Sequence, residues 1–95
     1  MTNASECTFC DGGQERLRSL RVAKEVLQEL ARAAENNQPM ASAHEGYAVL
    51  LEEVDELWEH VRTNPRARDV AAMREEAIQV AAMAIRFILD VTDKP

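Results

Sequence analysis

Ninety-five residues with a formal net charge of −6 hold one domain, with no room for two separate cores. The acid excess excludes a protein that grips a nucleic-acid backbone, which needs a basic face. It suits a site where a bound cation brings the positive charge to an anionic substrate.

Hydrophobic residues make up 46% and charged residues 29% of the chain, with only three glycines and three prolines. That balance favours helix over strand and predicts an all-α protein. The first residues show neither a basic n-region nor an apolar run, so no signal peptide is expected. Arg86 interrupts the best candidate for a membrane span. The expectation is a cytoplasmic protein with no membrane contact.

Residues 1–13 are polar, end in Gly12-Gly13 and read as a loosely attached tail. The tail carries the only cysteines, Cys7 and Cys10, spaced as half of a zinc site. No further cysteine completes the set, so two reduced thiols are expected, with a zinc shared between subunits as the alternative. The domain proper then spans residues 14–95.

Gln14 to Glu35 predicts the first helix. Leu20, Ala23, Leu27, Leu30 and Ala34 repeat at the three-four spacing of a buried stripe, which Leu17 and Ala31 widen. Five basic and four acidic residues fill its outer face. Some of those arginines could reach a substrate phosphate, but the sequence does not choose among them. Asn36 to Pro39 breaks the pattern into a loop.

Ser42, with Glu45 three residues on, has the form of a capping box that starts a second helix. Leu50, Val54, Leu57 and Val61 form its apolar stripe, flanked by Leu51 and Trp58. Asn64 or Asp69 can cap the start of a third helix, which runs to about Asp90. From Val70 onward this helix is apolar on nearly every side, with a narrow polar strip of Glu75, Gln79, Arg86 and Asp90. Two other helices cannot cover so much apolar surface, so the three-helix protomer is expected to complete its bundle as a homo-oligomer, dimer or tetramer, whose interface includes this third helix.

The second helix carries Glu52, Glu53 and Glu56 within one turn. Like charges three and four residues apart repel, and a hard divalent cation reverses that sign. Taken alone, the string also fits a solvated acidic face. Glu76 is more pointed, because its helical row is Met73, Val80, Met83 and Phe87, all apolar. A carboxylate in such company is costly unless it is ion-paired, to Arg74, Arg66 or an arginine of the first helix, or metal-bound. If the second and third helices pack antiparallel, Glu53 and Glu56 can face Glu76 and Gln79. His44, His60 and Trp58 have ordinary structural roles as their first reading.

Glu53-x-x-Glu56 followed by Glu76-x-x-Gln79, with His44 upstream, resembles the MazG-type all-α NTP pyrophosphohydrolases, whose pattern is E-x-x-E, a spacer, then E-x-x-D on adjacent helices. The likeness covers residues 42–91, and Gln79 departs from it by standing where the pattern has aspartate. It implies hydrolysis of a nucleoside triphosphate to the monophosphate and pyrophosphate, with Mg²⁺ held by Glu53, Glu56, Glu76 and Gln79. Glu52 would be a further ligand or would orient the water. A non-catalytic helical oligomer that binds nucleotide or a protein partner is the competing reading, which Gln79 supports. A zinc-tethered module built on Cys7 and Cys10 is a third.

Overall fold

The computed structural model describes the backbone of residues 4–94 and the side chains of residues 13–94. Among them it is all-helical: α1 spans Ala4–Asn36, α2 Ala43–Val61 and α3 Val70–Phe87. A 3₁₀ turn, Pro65–Ala67, precedes α3, and a π-helical turn, Ile88–Thr92, ends it. No helix is long and apolar enough to cross a membrane among the described residues. The side chains of Cys7 and Cys10 lie outside the described residues.

Helix ends follow local chemistry. Ser42 is extended, at φ −156° and ψ 166°, and its hydroxyl accepts from the Glu45 amide at 3.1 Å. The Glu45 carboxylate reaches back one residue further than a capping box requires, accepting from the Ala41 amide. Both candidate starts for the third helix are used. Asn64 caps the 3₁₀ turn through the Arg66 amide at 2.9 Å, and Asp69 caps α3 through the Ala72 amide at 3.0 Å. At the other end of the chain α1 starts at Ala4, ahead of the expected Gln14, and runs through the glycine pair. Glycine weakens a helix by only about 1 kcal/mol, too little to end one by itself.

α3 is the central element, packed against both α2 and α1, while α1 and α2 hardly touch. Gly46 lies against Phe87, and the Glu56 carboxylate lies near that of Glu76, so α2 runs antiparallel to α3. Glu25 meets Arg74 and Gln38 meets Arg86, so α1 runs alongside α3 in the same sense. Val26 and Ala33 of α1, Met40 of the loop, and Ala82 and Met83 of α3 form the core. Leu30, Val49, Leu50, Ile78, Ile85 and Phe87 pack around it.

Three parts of this arrangement depart from the pattern of the sequence: Val54 and Val61 of the expected α2 stripe are 40% and 38% exposed, and two larger departures lie on α1 and α3. First, α1 turns Val26 and Ala33 toward α3, so Leu20 and Leu27 of the expected buried stripe are 59% and 56% exposed. Leu30 of that stripe still packs against the core, while Leu17, Leu20 and Leu27 point outward. Second, Arg86 is buried at 6% exposure instead of lying on a polar strip. Its guanidinium donates to the Gln38 carbonyl and sits 3.7 Å from Asp90, whose carboxylate accepts from the Met40 amide at 3.0 Å. The pair fastens the loop between α1 and α2 onto the end of α3.

Gly46 is buried because a side chain does not fit there. A Cβ would stand 2.7 Å from the Phe87 ring and 3.1 Å from the Met40 sulfur. Gly46→Ala gains about 1 kcal/mol of helix propensity and meets an overpacking cost of about 1–3 kcal/mol. The expected result is a net loss of about 1 kcal/mol in urea unfolding; a gain in stability would show that the ring moves aside freely.

Candidate metal centre

α2 packs along α3, with Phe87 against Gly46, and the two helices bring three carboxylates together. Glu53, Glu56 and Glu76 each offer one oxygen, and the three oxygens lie within 4.8 Å of one another. Glu53 and Glu76 are partly buried and Glu56 is exposed, so the group opens to solvent on one side. One oxygen of Glu53 and one of Glu76 are fully shielded and have no hydrogen-bond partner.

Electrostatics oppose the bare cluster. Burial, then the charges of Glu56, Glu76 and Glu52, push the Glu53 carboxyl above its ordinary value of 4.5. Burial and then Glu56 push Glu76 up from the same value, while nearby His60 pulls the other way. Two acids raised first by desolvation and then by neighbouring carboxylates, Glu56 in both cases, are the condition that a bound cation relieves.

The ion-pair alternative for Glu76 is not realised. Arg74 turns to Glu25 of α1 and donates to both of its carboxylate oxygens at 2.7 Å. No salt bridge involves Glu76 among the described residues.

Glu52 and Gln79 lie to one side of the cluster. With Glu53 they line a cleft of about 370 Å³ between α2, α3 and the end of α1, whose other walls include Arg32, Asn37, Met83 and Arg86. Arg32 is one of the four arginines of the first helix among which the sequence pattern did not choose. Its guanidinium pairs with Glu29 one turn away, and the Glu53 charge also acts on it. No periodicity could have singled it out, because its place depends on how α1 lies against α3. His44 and Trp58 stay outside this cluster; His44 lines a separate shallow surface with Tyr47 and Phe87.

Three carboxylate oxygens at this spacing suit a hard divalent ion, which takes oxygen donors. Glu53 and Glu76 each also hold one shielded oxygen without a hydrogen bond among the described residues, and the exposed Glu56 leaves one side open, so these three residues could hold such an ion. Compared with protein-family models, with curated proteins and with solved structures, the chain finds no match.

Gln79 stands one turn beyond Glu76 on α3. Its amide can offer a carbonyl oxygen but no charge. Gln79→Asp should tighten Mg²⁺ binding about tenfold, equivalent to ~1.4 kcal/mol. Titration calorimetry showing equal or weaker affinity would place Gln79 away from the ion.

Proposed function

We propose that this chain is a magnesium-dependent nucleoside triphosphate pyrophosphohydrolase that works as a homo-oligomer. The observation that carries the reading is the convergence of Glu53, Glu56 and Glu76 from two helices, with one shielded oxygen on Glu53 and one on Glu76 that make no hydrogen bond among the described residues. The likeness of E-x-x-E and E-x-x-Q to the MazG-type pattern gives the reaction: nucleoside triphosphate plus water yields the monophosphate and pyrophosphate. The extended protomer supports an oligomer. Its radius of gyration is 16.7 Å, against about 12 Å for a compact chain of this length.

A bound divalent ion would neutralise triphosphate oxygens and make the α-phosphorus open to water. The chain's own groups do the rest. Glu53, Glu56 and Glu76 fix the position of that charge. Glu52, on the cleft side of Glu53, accepts a hydrogen bond from the attacking water and aligns it. Arg32, whose side chain is 59% exposed, can swing from Glu29 to a phosphate that enters the cleft. Asn37 and Gln38 line the same cleft and would contact the nucleoside.

The test is release of pyrophosphate from a panel of NTPs and dNTPs with Mg²⁺, beside Glu53→Gln as the control. Metal-dependent release that the variant loses supports the assignment. Mg²⁺ binding without turnover of any nucleotide would favour the second reading, a non-catalytic nucleotide-binding oligomer, for which the missing fourth carboxylate at Gln79 is the supporting feature. No Mg²⁺ binding at all would sink both.

A further inference from the structure

Two apolar stripes face outward. On α2, Tyr47, Leu51, Val54, Trp58 and Val61 repeat at alternating spacings of four and three, and each is 38–60% exposed. That spacing is the seam by which one helix packs along another. It lies beside the row of Leu50 and Leu57 and is separate from it. On α1, Leu17, Leu20 and Leu27 form the other stripe, 54–59% exposed. Within one protomer the two helices hardly touch, so neither stripe covers the other.

The surface area calls for a partner. The protomer exposes 7130 Å², against about 5,500 Å² for a compact monomer of this mass. The excess, roughly 1,600 Å², exceeds the ~800 Å² per partner that a standard interface removes.

Charge selects which stripe meets which. α2 carries six acids, so α2 against α2 would set acid against acid. The stretch Glu15 to Lys24 of α1 holds four basic residues and one acid. Arg21 and Lys24 border the α1 stripe, and Asp55 and Glu59 border the α2 stripe; all four are exposed. Glu59 also pairs with Arg62 at 3.1 Å, an exposed bond that is readily exchanged.

We propose that two copies of this chain pair reciprocally, the outer face of α1 of each lying on the outer face of α2 of the other. A two-fold axis makes both contacts identical and closes the assembly. The interface buries Leu20, Leu27, Leu51, Val54 and Trp58, and places Arg21 and Lys24 of one copy along Asp55 and Glu59 of the other. It goes beyond the metal reading and does not depend on it, because none of these residues belongs to the carboxylate cluster.

Sedimentation equilibrium of the full chain tests the pairing, with circular dichroism to check helix content. Wild type should be dimeric or a multiple of two at micromolar concentration. Arg21→Glu with Lys24→Glu, and separately Asp55→Lys with Glu59→Lys, should each raise the dissociation constant at least tenfold. An equimolar mixture of the two variants should recover dimer. The mixed pair keeps one wild-type contact and sets opposite charges against each other at the second. A monomeric wild type would overturn the pairing and the oligomeric reading together. A dimer that ignores both reversals, or fails to recover on mixing, would overturn the α1-on-α2 pairing alone and leave the proposed chemistry standing.

Discussion

Glu76→Gln should raise thermal stability in EDTA and remove most of the stabilisation that Mg²⁺ gives. Without metal, Glu76 is a partly buried acid beside Glu56, with one shielded oxygen unpartnered. A neutral isostere removes the repulsion and part of the desolvation cost, worth about 1 kcal/mol. For a domain of this size that is ~4–8 °C in Tm. With Mg²⁺ at a hundred times Kd, wild type gains about 2.7 kcal/mol by mass action, since the cluster exists only in the folded state. The variant should lose most of that gain, and melts must be compared at equal protein concentration because association also shifts Tm. A salt-bridged Glu76 predicts the opposite sign, since an uncompensated cation would remain and cost roughly 3–5 kcal/mol. A variant that melts well below wild type in EDTA, with equal Mg²⁺ shifts in both proteins, would remove Glu76 from the site.

The same groups set a pH dependence for the metal-free protein. Glu53 and Glu76 are both raised above 4.5 in the folded state. An acid whose folded value is the higher one contributes stability that is full below the unfolded value and is lost as pH rises through the folded value. Metal-free wild type should therefore lose part of its stability as pH climbs above 4.5 through that window, and Glu76→Gln should lose less. Saturating Mg²⁺ should reverse the slope, because the ion binds the deprotonated forms. A pH series of EDTA melts with identical slopes for both proteins would show that the Glu76 carboxyl titrates as in the unfolded chain.

Arg86→Met should cost about 3 kcal/mol in urea unfolding, the low end of the range for breaking a buried pair. The low end applies because the Asp90 side chain keeps 21% of its surface in solvent. The loss comes from stranding Asp90 and the Gln38 carbonyl, not from packing, since methionine fills most of the same space. Adding Asp90→Asn should recover about 1 kcal/mol: a neutral amide oxygen still accepts from the Met40 amide without a buried charge. If the double variant is less stable than Arg86→Met alone, the cost lies in the shape of the loop rather than in the unpaired acid.

Helix type and number were legible because α1 and α2 carry three-four periodicity, α3 is a long run rich in alanine and apolar residues, and Ser42, Asn64 and Asp69 mark the helix starts. Glu76 was legible for one reason: an acid in a row of Met73, Val80, Met83 and Phe87 violates the pattern around it. The facing of Glu53 and Glu56 followed from antiparallel packing across a short connection. Arg86 escaped the same logic, since a polar residue near polar neighbours raises no conflict on paper. Its burial depends on a loop fifty residues earlier in the chain supplying the Gln38 carbonyl and, through Asp90, the Met40 amide. The outward turn of Leu20 and Leu27 was hidden for a related cause. Periodicity gives the angle between residues on a helix, not which neighbour covers them. On α1, Val26 and Ala33 are small enough for close approach to α3, and they took the inner side.

The notch at Gly46 works as an alignment key for chemistry it does not take part in. Phe87 seats against it at one point along the two helices, and Glu56 meets Glu76 ten residues away on α2. At 1.5 Å per residue the two points are about 15 Å apart, and a rigid helix carries any offset from one to the other undiminished. A slip of α2 by one turn, about 5.4 Å, would exceed the whole 4.8 Å span of the three acids and disperse them. A cluster that repels itself has no means of holding its own register. The tooth-and-gap fit of an aromatic ring on a bare backbone supplies it from a distance, with no charge involved.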